Sequence, residues 1–465
     1  MQLASRHLDR AFWQKLIHIG LPISLQAMLF SLLGVIDIFM VSQLGEQATA
    51  AVGVGNRIFF FNLLMIAGIS GAVNILASQY VGAGNLDGVK RTLAQSWLMC
   101  VLSVLPFIAL YGLMPATIVG WVASEPDYVH MAADYLWVTG PSFLLTAIVV
   151  PLEAVLRASG HARLPTYASI VAVIVNIVLN ALLIFGLFGF PEMGVLGAGL
   201  GTAISRLVQT LILFYLALRS HRALFPNRTH WMQAWQKSHL KRYLKIAMPM
   251  MIHDTGWAAG IVVYNILVGQ LGVSELAMIA LLAPVESVLM SAFLGAAVGA
   301  SIILGHELGA ENYQRAEQTA WGYVLISCGV ALLIAIGCWL AQPLLTQLMR
   351  LSPLENSTLA VHVCLVMAFG MVLKVFNMVG IGGVLKSGGD INYTIFIDLS
   401  AQWLIGIPLA YYTGLVLGWS LDWVMAAILL EEVVKIGLTS QRIQSKKWMN
   451  NLVREPQPAF ETGRI

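Results

Sequence analysis

Charged residues are scarce in this chain of 465 residues. Asp, Glu, Lys and Arg together make up 11% of the sequence, whereas hydrophobic residues make up 58% and the mean hydropathy is +0.79. So little polar surface cannot cover a soluble globule, and the composition therefore predicts a protein that crosses a membrane many times. The 26 basic and 23 acidic residues nearly balance, which argues against a nucleic acid partner.

Cysteine is also rare, and familiar catalytic motifs are missing from the sequence. The four cysteines lie in apolar segments without C-x-x-C spacing, so neither a disulfide framework nor a zinc site is indicated. The motifs H-E-x-x-H and G-x-S-x-G and a paired-aspartate motif do not occur, so we predict that the chain is not an enzyme and uses no cofactor. The polar amino terminus lacks a small-residue cleavage site, which predicts that the first hydrophobic segment is retained as a span.

Long apolar segments fill most of the chain. Most exceed the ~20 residues that a helix needs to cross the hydrocarbon core, where each backbone must satisfy its own hydrogen bonds. They lie near residues 13–44, 49–82, 93–114, 128–155, 163–189, 194–218, 242–271, 276–308, 317–342, 357–385, 394–418 and 420–441. The sequence therefore predicts an all-α integral membrane protein with twelve transmembrane helices.

The basic residues fall in alternate connections between these segments. Lys and Arg precede the first segment, follow the second, fourth, sixth, eighth, tenth and twelfth, and are nearly missing from the other connections, with Arg350 as the exception. Positive charge marks the cytoplasmic side of a membrane protein. We therefore predict a multi-pass protein of the cell (inner) membrane with both termini in the cytoplasm.

One basic linker divides the chain. The stretch from Arg219 to Arg242 has six Lys or Arg, three His and no acid. It could bind anionic lipid headgroups, but a cytoplasmic topology determinant is the simpler interpretation, which we favour. The predicted organisation is an amino-terminal lobe of six helices at 1–218, a cytoplasmic linker at 219–241, a carboxyl-terminal lobe of six helices at 242–445 and a cytoplasmic tail at 446–465.

The two halves of the sequence repeat each other. A shift of 227 carries Pro22 onto Pro249 and Gly82-Ala83 onto Gly309-Ala310, and a shift of 229 carries the run VLRASG onto VLKSGG. Six segments per half give both repeats the same orientation, so we expect a pseudo-two-fold axis along the membrane normal with a cavity between the halves. Such repeats are typical of transporters, although channels and integral-membrane enzymes also contain them.

Asp37 is the first candidate functional residue, because it lies deep in the first apolar segment. A charge at the bilayer centre costs about 2.5 kcal/mol or more, so Asp37 must face protein or water, where such a group usually titrates or binds a cation. The alternative is a carboxylate that neighbouring polar groups hold for packing specificity. Pro22 in the same segment predicts a hinge. The repeat places Tyr264 where the first half has Asp37.

A second candidate is the pair Asn176 and Asn180 in the fifth segment. Residues four apart lie on one face of a helix. Their amide oxygens, with a carboxylate and a hydroxyl, are hard ligands that suit a small cation such as Na+, or they can shape the proton affinity of an acid. They can equally form interhelical hydrogen bonds, typically worth under ~1 kcal/mol each in a membrane.

The carboxyl-terminal half contains three further acids inside or near its segments. Glu286 could contact a cationic substrate or pair with a polar neighbour. Asp254 could have a coupling role or lie solvated near a cavity mouth. Asp398 is predicted to be an inner-gate or ion-pair residue with Lys374 or Lys386 as its partner.

Several motifs together give the chain a family resemblance over nearly its whole length, roughly from Phe12 to Ser445. They are Pro22 followed by Asp37, the run QYVGAGN that begins at Gln79 with its repeat LGAEN, the VLRASG and VLKSGG turns, the run NIVLN from Asn176 to Asn180, and the run GAGLGT that ends at Thr202. In this combination the sequence resembles a multidrug and toxic compound extrusion (MATE) transporter.

The resemblance implies twelve helices in two six-helix lobes, alternating access, and export of amphipathic, often cationic compounds in exchange for H+ or Na+. It also implies a cation site made of Asp37, Asn176, Asn180 and Thr202, and bending of the first span near Pro22. Some family members have an aspartate where this chain has Asn180, so this site would hold one acid. The expected partners are small-molecule drugs or organic cations and membrane lipids, and we predict a monomer.

An exporter or flippase of a lipid-linked or metabolite substrate is the alternative function. A pyrophosphate-linked lipid would require a strongly basic central cavity. The segments contain few basic residues, with Arg57, Arg206 and Lys374 as the main candidates. Drug export is therefore the favoured prediction.

Overall fold

The computed structural model describes residues 10–121, 126–350 and 356–454, and these residues form helices and their connections. Twelve long helices dominate the fold. We name them α1 to α12, and they are Phe12–Ser42, Glu46–Gly82, Leu86–Leu113, Val129–Thr139 with Ser142–Ala158, Arg163–Phe185, Gly194–Leu224, Lys237–Leu271, Val273–Gly309, Tyr313–Leu340, Ser357–Leu385, Ile391–Val416 and Leu421–Gln444. The predicted all-α fold of twelve helices in two lobes is confirmed.

Several of these helices are irregular. The two parts of α4 meet at 48°, because Pro141 has no amide hydrogen to donate to the preceding turn. Segments of π-helix occur in α1 at Leu16–Gly20, in α10 at Met378–Leu385, and in α11 at Gln402–Gly406 and Tyr412–Val416. Short helices in the connections are Pro115–Gly120, Arg228–Ala234 and Gln342–Arg350.

The helices on either side of the basic linker are longer than the sequence predicts. The end of α6 reaches Leu224 and α7 begins at Lys237, so both helices extend into the stretch from 219 to 241. Residues 1–9 of the predicted amino-terminal lobe and 455–465 of the predicted tail lie outside the described residues.

The two lobes pack closely through α1 and α2 of one lobe and α7 and α8 of the other. Glycine makes this approach possible, because a Cβ atom at Gly309 would lie 2.0 Å from the Gln79 carbonyl oxygen and one at Gly82 would lie 2.1 Å from that of His306. Further up the seam, a Cβ atom at Gly295 would lie 2.3 Å from the Ser24 Cα atom. The ends of α2 and α8 therefore touch backbone to backbone, and we call this side of the molecule the closed face.

The segment after α12 crosses the closed face. Gln79 at the end of α2 donates from Nε2 to the carbonyl oxygens of Ser387 (2.9 Å) and Asn450 (3.1 Å), and its Oε1 accepts from the Leu452 amide at 2.7 Å. Lys15 on α1 also forms a 2.8 Å ion pair with Glu307 on α8. These contacts join the lobes at the face that carries both ends of the described chain.

The opposite face has a cavity within the amino-terminal lobe. A cavity of about 630 Å³ lies at the adjoining ends of α1 and α2, and its lining includes Ser42, Glu46, Thr49 and Arg57. The hydrogen bonds that Lys15, Ser24 and Ser31 of α1 form with α8 lie below this cavity toward the closed face. The two faces of the molecule are therefore not equivalent.

Candidate functional site

The four residues that the resemblance assigned to a cation site lie together in the amino-terminal lobe. The Asn180 Nδ2 atom donates to Asp37 Oδ1 at 2.7 Å and to Asn176 Oδ1 at 3.1 Å. Asn176 in turn donates to Thr202 Oγ1 at 3.5 Å and to Ser205 Oγ at 3.4 Å. Helices α1, α5 and α6 thus meet around one half-buried carboxylate.

Close packing of α5 and α6 positions the asparagine pair. Gly201 lies directly against Asn180, and a Cβ atom there would be 2.2 Å from the Asn180 Oδ1 atom. Both asparagines are buried, and Asn180 Oδ1 has no hydrogen-bond partner among the described residues. The Asn180 amide presents its N–H to Asp37 and its oxygen to Gly201, so a turn of the amide would give Asp37 an oxygen neighbour with which it could bind a proton or a small cation.

Arg206 lies one helical turn beyond Thr202 on α6 and supplies positive charge to this lobe. Its Nη1 atom donates to Gln209 Oε1 at 2.9 Å, and its guanidinium carbon is 5.1 Å from the centre of the Phe30 ring. Arg206 acts electrostatically on Asp37 without a direct ion pair. The contact that holds Asp37 is therefore the neutral carboxamide of Asn180.

The predicted hinge at Pro22 follows directly after the π-helical segment Leu16–Gly20. The Pro22 carbonyl accepts a hydrogen bond from Thr166 Oγ1 of α5 at 3.0 Å. A π-helical turn and a proline both weaken the regular hydrogen-bond ladder, and such places are where helices kink. The hinge role of Pro22 stays a prediction.

Three of the four secondary candidates of the carboxyl-terminal lobe lie close together, and Glu286 lies apart from them. Tyr264 donates from its hydroxyl to Glu431 Oε2 at 2.5 Å. Asp254 and Asp398 share His253, whose Nδ1 and Nε2 atoms lie 2.9 Å and 2.8 Å from their respective carboxylates. Glu286 is separate and forms a 2.6 Å ion pair with Lys374.

The predicted partner of Asp398 is wrong. The structure pairs Lys374 with Glu286, and Lys386 lies 3.7 Å from Asp254. Asp398 contacts His253 and, at 3.5 Å, Lys435 on α12. The prediction failed because it considered the lysines on α10 and the turn after it, whereas the packing of α11 against α12 decides the contact.

Lys435 joins these residues into one buried charged network. It lies 3.2 Å from Glu431 and 3.4 Å from Glu432, besides its contact with Asp398. Asn377 on α10 donates to Glu432 Oε2 at 2.7 Å. We call the set Asp254, His253, Asp398, Lys435, Glu431, Glu432 and Tyr264 the carboxyl-lobe network.

Sequence reasoning missed Glu431, Glu432 and Lys435, although the repeat contains the signal. Extending the shift of 229 along α12 places Glu431 over Thr202 and Lys435 over Arg206. The shift of 227 likewise places His253 over Gln26. The carboxyl-lobe network thus occupies positions that correspond to those of the amino-terminal lobe, with Glu431 in place of Thr202 and His253 in place of Gln26, while a basic residue occurs at the Arg206 position in both lobes.

Glu153 on α4 was also missed, although it is an acid inside an apolar segment like Asp37. It is 4% exposed, and its Oε1 atom accepts from Gln26 Nε2 and Gln209 Nε2, both at 3.0 Å. Its Oε2 atom accepts from Arg157 Nη2 at 3.3 Å. The rule that marked Asp37 would have marked Glu153 as well.

Comparison with known proteins adds independent evidence. The sequence profile of the MatE family matches residues 22–182 and 249–412. The uncharacterized transporter YisQ of Bacillus subtilis is 23% identical over 448 residues, which cover 95% of this chain and 96% of YisQ. The multidrug resistance protein MdtK of Edwardsiella ictaluri is 24% identical over 413 residues, with 87% and 89% covered. The fold matches a solved structure of the Vibrio cholerae MATE transporter VcmN with a TM-score of 0.83 at 17% identity, covering 97% of this chain and all of that one.

Proposed function

The chain belongs to the MATE family of membrane transporters, and on that premise we propose that it exports amphipathic, often cationic compounds in exchange for H+ or Na+. The observation that carries this proposal is the half-buried Asp37 carboxylate, held by the neutral Asn180 amide with an unused amide oxygen beside it. Such a carboxylate can be occupied by the coupling ion in one state and vacant in the other. Asn176, Asn180 and Thr202 would complete the ion site.

Exchange requires that the ion and the cargo favour different conformations, because only differential affinity moves a conformational equilibrium. The closed face carries both ends of the described chain, and we propose that this face is cytoplasmic. In that orientation the structure represents an outward-facing state. Ion binding at Asp37 would then bend α1 near Pro22 and favour release of cargo to the outside.

The lysines in and next to the spans argue against an anionic cargo. Lys374, Lys386 and Lys435 each lie within ion-pair distance of a carboxylate. Arg57 is one basic residue in the lining of the cavity at the ends of α1 and α2, which falls short of the strongly basic cavity that a pyrophosphate-linked lipid would require. The name of the relative MdtK also refers to multidrug resistance. Export of drugs or organic cations is therefore the function that we propose, by a monomer in the inner membrane.

Growth of an efflux-deficient bacterial host tests this function. We expect expression of the chain to raise resistance to cationic dyes and to increase energised dye efflux from loaded cells. Asp37→Asn, at equal membrane abundance, should return both to the level of the empty vector. Wild-type protein that leaves dye resistance unchanged but rescues transport of an envelope lipid precursor would contradict drug export and favour the flippase.

A further inference from the structure

Glu153 is the second acid buried inside the amino-terminal lobe. Its partner Gln26 precedes Asp37 by eleven residues on α1, and its neighbour Ser169 precedes Asn180 by eleven residues on α5. At 1.5 Å per residue, Glu153 therefore lies about 16 Å closer to the closed face than Asp37. Burying an ionised group at this depth is costly, and such groups are functional by default.

The contacts of Glu153 exclude a metal ion and leave a proton as its ligand, although as they stand they stabilise the ionised carboxylate. All three side chains bonded to the carboxylate are N–H donors, whereas a metal ion would need oxygen ligands. Gln26 is 3% exposed, and its Oε1 atom has no hydrogen-bond partner among the described residues. If the Gln26 amide turns over, this oxygen faces the carboxyl group and accepts its O–H. The site thus offers a partner to both the ionised and the protonated acid.

The charges around Glu153 connect it to Asp37. Arg157 on α4 and Arg206 on α6 act electrostatically on Glu153, and Arg206 also acts on Asp37. Helices α1, α5 and α6 face the carboxylate with the uncharged Gln26, Ser169 and Gln209, while α2 and α3 pack on α4 with apolar side chains. The charges of Asp37, Glu153, Arg157 and Arg206 sum to zero when both acids are ionised. One proton bound to either acid therefore leaves one excess positive charge.

Gln26 also links Glu153 to the seam between the lobes. It lies one helical turn beyond Pro22, on the lower half of α1. The opposite side of this half packs on α8, where Ser24 Oγ donates to the Ala292 carbonyl at 2.7 Å and a Cβ atom at Gly299 would lie 2.9 Å from Gly20 Cα. A change in the Gln26 contact therefore acts on the helix that holds the lobes together.

We propose that Glu153 is a second proton-binding site of the amino-terminal lobe and that α1 responds to its protonation through Gln26. The proton adds to Glu153 Oε1, and the new O–H donates to the Gln26 Oε1 atom after the amide turns over. Arg157 releases Oε2 and keeps its Nε bond to the Glu153 carbonyl, which is 3.2 Å long. The assignment of this proton site to Glu153 depends on the proposed ion-coupled export in one respect, which is that the transport cycle would use the proton.

Infrared difference spectroscopy tests the site without any transport assay. Purified full-length protein in lipid nanodiscs would be titrated between about pH 5 and 9, as wild type, Asp37→Asn, Glu153→Gln and the double variant. We expect a carboxylic acid band that titrates in wild type and in D37N and is lost in E153Q and in the double variant. Identical titrating bands in D37N and the double variant would overturn the site. If E153Q does not fold, Glu153→Asp keeps an acid, and its band should shift in frequency.

Hydrogen exchange of α1 tests the link through Gln26. Wild type and D37N should show a pH-dependent change in exchange over residues 16–30, whereas Gln26→Leu should keep the infrared band and lose this change. An unchanged exchange response in Q26L would overturn the role of α1. If the Glu153 band titrates but the protein shows no ion-coupled export, only the proposed function is refuted. If the protein exports with ion coupling but Glu153 gives no titrating band, only this inference is refuted.

Discussion

The acids of the two lobes are held in different ways. In the amino-terminal lobe, the side chain bonded to Asp37 is the neutral carboxamide of Asn180, and Arg206 acts on it from a distance. In the carboxyl-terminal lobe, Lys435 lies within 3.5 Å of Asp398, Glu431 and Glu432, and His253 bridges Asp398 to one further carboxylate, that of Asp254. Asp37 thus has a neutral direct partner, whereas each acid of the carboxyl-lobe network lies against Lys435 or His253. The difference concerns Asp37, because Glu153 of the amino-terminal lobe has its own ion pair with Arg157.

This difference indicates separate roles. Asp37 forms no direct ion pair among the described residues, and Arg206 acts on it only from a distance, so a proton or a small cation can bind to Asp37 without breaking an ion pair. Neutralising an acid of the carboxyl-lobe network would leave the positive charge of Lys435 with fewer carboxylates around it. A poorly balanced charge inside the membrane costs free energy. We infer that the amino-terminal lobe changes its ionic state and that the carboxyl-lobe network keeps a fixed one.

The largest effect is expected from substituting Asp37, with Tyr264, its equivalent in the second repeat, as the comparison. Asp37→Asn should reduce coupled dye efflux to that of the empty vector, because the ion-binding charge is removed. Tyr264→Phe should retain most of the efflux, because it removes one hydrogen bond, worth about 1 kcal/mol. The dye efflux rate from loaded cells, at matched membrane abundance, measures the effect of both variants. An equal loss of efflux in Asp37→Asn and Tyr264→Phe would contradict the difference between the lobes.

The next effect concerns stability. Lys435→Met should destabilise the protein by roughly 3–5 kcal/mol, because it leaves buried carboxylates without their cation. Thermal unfolding in detergent measures the loss. Adding Glu431→Gln to Lys435→Met should recover part of the stability, and a single variant as stable as wild type would refute the fixed network.

A smaller effect is expected at the seam between the lobes. Gly309→Val should disfavour the closed face, because even a Cβ atom there would lie 2.0 Å from the Gln79 carbonyl oxygen. A tenfold shift in the population of the two conformations corresponds to about 1.4 kcal/mol, and spin-label distances across this face can measure it. The matched control is Gly329→Val on α9, where no atom lies within 4 Å of the added Cβ; an equal response in the control would contradict the steric explanation.

The smallest effect concerns the paired prolines. Pro22 follows a π-helical segment, whereas Pro249 lies inside the regular helix α7. Pro22→Ala should lower the transport rate by about threefold, which is less than 1 kcal/mol in activation free energy, and Pro249→Ala should change it less. Initial rates of dye efflux decide the order, and a greater loss with P249A would place the hinge in the other lobe.

Hydropathy and positive charge predicted the long helices, because each apolar segment must satisfy its own backbone hydrogen bonds in the hydrocarbon core, whichever helices surround it. The resemblance predicted which residues surround Asp37, and the structure brings these residues together. Ion pairs between different helices were not predictable. Lys374 pairs with Glu286 and not with Asp398, because helix rotation and the choice of neighbouring helix decide which long side chains meet.

Glu431 and Lys435 were overlooked for a related reason. Their helix was treated as one more apolar segment, so its charges were not compared with those of the first repeat. Glu153 was overlooked because Arg157, one turn away, served as a marker of topology. In both cases the acid and its partner lie within four residues on one helix, and such a pair inside a span is a signal that the sequence alone provides.

Ion movement driven by cargo in sealed proteoliposomes tests the central claim most directly. Wild-type protein and Tyr264→Phe should each move H+ or Na+ when a cationic substrate gradient is imposed, and Asp37→Asn should move neither ion while it still binds the substrate. Cargo-driven ion movement in Asp37→Asn equal to that of wild type would contradict the assignment of coupling to the amino-terminal lobe.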